Sequence, residues 1–67
     1  MRFEKIRELR EDNDYTQKQV AAYLHIKQAT YSEYESGKIN VPVEALMKLS
    51  ELYHVSLDYL VGKSKEK

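Results

Sequence analysis

The 67-residue sequence predicts an all-α, compact five-helix domain. Three observations carry that expectation. Apolar residues recur at the spacing of one helix face, about 100° per residue. Residues that favour helix starts (Thr16, Pro42, Ser56) stand ahead of three of these runs. The runs close on glycine or histidine, residues that enter the left-handed backbone region more readily than most.

Helix 1 is expected over residues 2–12, with Phe3, Ile6, Leu9 and Arg10 toward one side. Helix 2 has the best-marked start. Thr16 followed by Gln19 makes a capping box, and Tyr15 and Val20 hold the N′ and N4 positions of a hydrophobic staple. Val20, Ala21 and Leu24 form its apolar stripe, and the small Ala21 lets a second helix approach closely. His25 is then the candidate for a left-handed helix end, and Ile26 anchors the following turn in the core. Helix 3 puts Tyr31, Tyr34 and Glu35 on one face and Ala29, Glu33 and Ser36 on the other, and it stops at Gly37. Helix 4 spans residues 42–53, with Pro42 in its first turn and Ala45, Leu46, Leu49, Leu52 and Tyr53 on a broad apolar stripe. Helix 5 is short, with Ser56 as N-cap, Asp58 near its positive end and Gly62 as its stop. Residues 1–62 therefore read as one domain and 63–67 as a polar C-terminal tail.

Composition bounds what such a domain does. A chain this short buries only about 60% of the surface its unfolded form exposes, so the core is thin. Six of its seven aromatic residues are tyrosines, whose hydroxyls need a partner or an exit to water. Cysteine is absent, which excludes disulfides and thiolate metal sites and suits a cytoplasmic protein. The N-terminus has no apolar signal-like region, and no stretch is long enough to span a bilayer. The 11 basic and 11 acidic residues balance, so the chain lacks the basic field of a nonspecific nucleic-acid binder. Position matters more than the total here. Glu8, Glu11, Asp12 and Asp14 gather at the end of helix 1 and in the first loop, whereas Lys18, Lys27 and Lys38 fall in or beside helices 2 and 3.

Residues 16–37, two short amphipathic helices joined by a tight turn, have the layout of a helix-turn-helix, which points to DNA. The motif Thr16-Gln17, Val20-Ala21, His25-Ile26, Tyr31-Ser32 and Tyr34-Glu35-Ser36-Gly37-Lys38 resembles the phage repressor and Cro type of helix-turn-helix protein, the XRE-like family. Downstream, Pro42 to Tyr53 and Val55-Ser56-Leu57-Asp58-Tyr59-Leu60 resemble that family's fourth helix and its ending. Three positions depart from the pattern: His25 replaces the turn glycine, Lys27 the small N-cap of the recognition helix, and His54 the glycine that closes helix 4. The resemblance implies a lambda-repressor-like fold and a transcriptional regulator, most simply a repressor. It implies a homodimer on a pseudo-palindromic double-stranded operator, without enzyme activity, cofactor or small-molecule ligand.

Carried onto this chain, the resemblance places Lys27, Gln28, Ala29, Ser32 and Glu33 at base edges. Gln28 suits adenine, Ala29 a thymine methyl and Glu33 the amino group of cytosine. It places Gln17, Lys18, Thr30, Lys38 and Asn40 at backbone phosphates, and Val55, Leu57, Tyr59 and Leu60 at a dimer interface. Arg10 and Glu35 both face inward, so each needs a counter-charge more than a ligand, and they are expected to form a structural salt bridge. His25 and His54 lack a second ligand at metal spacing and read as helix-ending residues. The tyrosines read as core rather than as a stacking platform. Neutral charge and Glu33 on the outer face keep a second reading open, a protein-interaction module such as a co-regulator or an antitoxin-like subunit. No nucleophile and base pair suggests an enzyme.

Overall fold

Helix termini are set by local chemistry and their packing by a shared apolar cluster. The computed structural model describes residues 3–63 and 65, in which α1 is Glu4–Asp12, α2 Gln17–Leu24, α3 Gln28–Ser36, α4 Val43–Tyr53 and α5 Leu57–Leu60, with no strand among the described residues. The five expected helices are all present, which establishes the all-α architecture. Arg2, the expected first residue of helix 1, lies outside the described residues, as do Ser64, Glu66 and Lys67 of the expected tail.

The capping box at α2 is complete. Thr16 Oγ1 accepts from the Gln19 N–H at 3.1 Å, while Gln19 Oε1 accepts from the Thr16 N–H at 2.8 Å. Two helix-start donors are thereby satisfied by side chains. Ser56 caps α5 in the same way, accepting from the Tyr59 N–H at 3.0 Å. Pro42 stands one residue earlier than expected, as the N-cap of α4 rather than inside its first turn. Its extended backbone (ψ 152°) delivers the chain to Val43, where helical geometry begins.

Helix ends use the left-handed region: His25 (φ 59°) ends α2, Gly37 (φ 81°) ends α3 and His54 (φ 56°) ends α4. At His25 the turn closes with the Ile26 N–H donating to the Ala21 carbonyl at 3.0 Å, which aims Ile26 back at the core. Asp14 (φ 58°) is a further left-handed residue, in the α1–α2 loop.

The core gathers Ile6 and Leu9 from α1, Val20, Ala21 and Leu24 from α2, Tyr31 and Tyr34 from α3, Leu46, Leu49 and Tyr53 from α4, Leu60 from α5, and Val41 and Val55 from the connecting segments. Phe3, Ala45 and Leu52, expected on apolar faces, are half-buried against it. The α2–α3 pair makes the most extensive helix packing, as buried Ala21 allows, while α1 packs on α3 and α5 and α4 on α5. This arrangement packs α2 and α3 against each other and leaves the outer side of α3 unpacked. Among the described residues, no helix is long and apolar enough to cross a membrane.

Candidate nucleic-acid interface

The outer side of α3 follows from what its inner side buries. Tyr31, Tyr34 and Glu35 are buried, so a 3.6-residue helix turns Ala29, Ser32, Glu33 and Ser36 away from the core, while Gln28, in line with Tyr31 and Glu35, is exposed as the first residue of the helix. Gln28 and Ala29 are exposed, and Thr30, Ser32 and Glu33 are half-exposed. Lys27 is the N-cap of α3 but makes no side-chain capping bond, so its ammonium remains at the surface beside the helix start. Lys18, Lys38 and Asn40 are also exposed.

Behind this surface lies a polar knot centred on Glu35. Arg10 grips its carboxylate with two bonds, Nε to Oε2 at 2.7 Å and Nη2 to Oε1 at 3.2 Å. Tyr31 donates its hydroxyl to Oε2 at 2.5 Å, and Gln17 Nε2 donates to Oε1 at 3.1 Å. The expected Arg10–Glu35 salt bridge is present, with side-chain exposures of 13% and 6%. Burial pushes the Glu35 carboxyl upward, but the bonds from Arg10, Tyr31 and Gln17 outweigh it and hold the group below the usual carboxylate range. Burial and the neighbouring carboxylate push the Tyr31 hydroxyl well above its ordinary value. A third Arg10 bond, Nη1 to the Tyr15 carbonyl at 3.0 Å, ties the α1–α2 loop to the same guanidinium.

The Tyr31 and Gln17 bonds to Glu35 go beyond the expected Arg10–Glu35 pair. Their signal was the spacing of Tyr31 and Glu35, four apart on one helix face, and a long amide at the first position of α2. Gln17, expected at phosphate, has one of its two amide protons engaged on Glu35. It lines a polar cleft of about 320 Å³ with Arg7, Arg10, Ser32, Glu35 and Ser36, so the start of α2 and the middle of α3 share one surface.

The expected dimer contacts divide. Val55 and Leu60 are 7% and 0% exposed and lie in the domain's own core, because the Val55 turn is drawn in by Ser50 and Leu60 is on the buried side of α5, which packs on α1 and α4. The Ser50 hydroxyl donates to the Val55 carbonyl at 2.6 Å. The Val55 and Leu60 side chains are thus largely withdrawn from the surface of a single copy. Leu57 is exposed and Tyr59 half-buried, with the Lys5 ammonium 5.1 Å from the Tyr59 ring centre. Among the described residues no three histidine, cysteine or carboxylate side chains come together as a metal site.

The helix-turn-helix family model matches residues 6–60, from the first core residue of α1 to the last of α5. The chain is 41% identical over 61 residues to the HTH-type transcriptional regulator ImmR of Bacillus subtilis, covering 91% of this chain and 48% of that protein. It is 36% identical over 61 residues to the cryptic phage CTXphi transcriptional repressor RstR of Vibrio cholerae, covering 91% of this chain and 55% of that one. The chain thus spans about half the length of these curated relatives. A crystal structure of a transcriptional regulator from Listeria innocua superposes with a TM-score of 0.85 at 28% identity, over 98% of this chain and 63% of the other. With its motif, its five helices and its relatives in agreement, the chain belongs to the XRE-type helix-turn-helix family of transcriptional regulators, a family of DNA-binding proteins rather than enzymes.

Proposed function

We propose that this chain binds a specific double-stranded DNA operator by laying α3 in the major groove, and that it acts as a repressor. The observation that carries this reading is the outer face of α3. Gln28, Ala29, Ser32 and Glu33 are free of the core, lie on a helix braced from behind by a buried ion pair, and are flanked by the cations Lys18, Lys27 and Lys38. Gln28 and Ala29 at the front of α3 stand where docking of such motifs sends side chains to base edges. Gln17, Lys18, Thr30, Lys38 and Asn40 would meet phosphates, and Gln17 can do so with its second amide proton while the first stays on Glu35. The repressor sense rests on the likeness to RstR.

In this reading two copies meet through the α4–α5 region around Leu57 and Tyr59, with Val55 and Leu60 serving the core beneath them. The operator is then pseudo-palindromic. A duplex target sets the work in the cytoplasm, and residues 1–62 are the DNA-binding unit. Selection from random duplexes tests the reading: the folded protein should enrich one approximately palindromic motif, and failure to enrich any at low salt overturns it.

Neutral net charge, together with exposed Val43 and Met47 one turn apart on α4, favours a second reading, a surface that docks a protein. In that case selection returns no motif while the folded chain remains intact.

A further inference from the structure

The end of α3 returns the chain onto its own outer face. Gly37 adopts φ 81°, its N–H donates to the Tyr34 carbonyl at 3.4 Å, and the Lys38 N–H donates to the Glu33 carbonyl at 3.0 Å. These are the paired bonds of a Schellman ending. They seat Lys38 beside the residue whose carboxylate its own ammonium meets, with Nζ 3.7 Å from Glu33 Oε2. The two side chains are 75% and 36% exposed, so each stays open to another partner.

We propose that Glu33 and Lys38 are an exchange pair that sets specificity. Away from the cognate site Glu33 holds Lys38; on it, an exocyclic amino group of a base takes the carboxylate and releases Lys38 to a backbone phosphate. The proposal rests on α3 docking in the major groove, as set out above. A carboxylate brought among phosphates is repelled unless a donor meets it, and the major groove offers such donors on cytosine and adenine. While the pair is closed, Lys38 brings no net charge to DNA and releases no counterion; opening it adds about one phosphate contact. An exposed ion pair is weak enough to open, with a coupling of roughly two- to fivefold in affinity. A chain with 11 positive and 11 negative side chains has little other cationic surplus, so one masked lysine weighs in how it treats random DNA. Lys38 therefore adds its phosphate contact mainly where Glu33 has found its base.

The test is a double-mutant cycle read on two duplexes, one of random sequence and one returned by selection. Wild type, Glu33→Gln, Lys38→Ala and the double variant are titrated over a range of salt. Both changes leave the backbone bonds of the helix end in place, and Lys38→Gln repeats the cycle should the alanine loosen it. On random duplex, Glu33→Gln should tighten binding roughly two- to fivefold. There Lys38→Ala should weaken wild type by baring the Glu33 carboxylate yet leave its salt slope nearly unchanged. In the Glu33→Gln background it should instead lower the slope by about one. On the selected duplex, Lys38→Ala should weaken wild type several-fold and lower the salt slope by about one. An equal change of salt slope from Lys38→Ala on both duplexes and in both backgrounds overturns the exchange pair while leaving DNA binding intact. A folded protein that enriches no duplex overturns the major-groove reading itself, a different result from zero coupling.

Discussion

Glu35 is a carboxylate 6% exposed, and what makes it tolerable is that four donor bonds converge on two oxygens. Removing one partner from such a group is far more costly than replacing the set. Arg10→Ala should therefore lower unfolding free energy by about 3 kcal/mol or more, measured by denaturant melts. That is comparable to the whole stability of a domain of this size, about 3–10 kcal/mol. An apolar exchange of Arg10 and Glu35 should cost much less, and least when Tyr31→Phe is added, because the Tyr31 hydroxyl would otherwise lose its acceptor. The same site fixes the acid limb of stability. The folded carboxyl lies below its ordinary value of 4.5, so above that pH its contribution is complete. As pH falls toward the folded value the unfolded chain takes up the proton first, and stability drops. Melting midpoints should decline below about pH 4.5, and an Arg10/Glu35 apolar variant should show a shallower decline. Tyr53 is the opposite case: its buried hydroxyl has no hydrogen-bond partner among the described residues, and burial pushes its ionisation well upward. Tyr53→Phe should hold or raise stability by about 1 kcal/mol, and a clear loss in calorimetry would reveal a partner for that oxygen. The Arg10–Glu35 pair was legible in sequence because two charges at apolar-stripe positions must find each other. The Tyr31 and Gln17 bonds were not, since a tyrosine at a core position reads as volume and its hydroxyl direction depends on how α1 and α3 meet.

Helix boundaries were the most readable feature because each is settled within a few residues. The capping box at Thr16 and Gln19 and the stop at Gly37 need no tertiary contact to be recognised. Pro42 was misplaced by one residue, since a proline suits both the cap and the first turn and its φ of −63° is the same in either. The left-handed Asp14 went unremarked because the loop between α1 and α2 has no apolar pattern to delimit it. Histidine at two helix ends is the unusual choice. His25 and His54 hold φ 59° and φ 56° with a Cβ that glycine would not carry. Relieving that strain favours the folded state, while glycine's larger unfolded-state freedom opposes it by about 0.4–1 kcal/mol. His25→Gly should then come out neutral or stabilising by up to about 1 kcal/mol, with the helical circular dichroism signal unchanged. Loss of folding in that variant would assign the imidazole a contact that backbone geometry does not explain.

Charge balance and shape together bear on how two copies would share an operator. The basic groups near α3 are few, so tight binding needs both copies on one duplex rather than one copy with a strong field. Which residues of the proposed dimer surface face outward is the least legible part of the site. Val55, Leu57, Tyr59 and Leu60 are all apolar or aromatic, and only the packing of α5 on α1 and α4 decides that Val55 and Leu60 face inward while Leu57 faces out. The domain measures 29 Å along its longest axis, and successive major-groove sites on one side of B-DNA lie roughly 34 Å apart. At that spacing the gap between two copies is smallest when the 29 Å axis lies along the duplex. Half-sites centred about one helical turn apart should therefore bind cooperatively. Inserting about five base pairs between them turns the second site to the opposite face of the duplex, where no contact between copies survives. Gel-shift titrations on the two operators should show a dimeric complex on the first and only weak, independent occupancy on the second. Leu57→Lys should give the same weak pattern on the uninterrupted operator, because it places a charge at the exposed apolar contact without disturbing the buried core. Equal cooperativity on both spacings would place the contact between copies elsewhere than α4–α5.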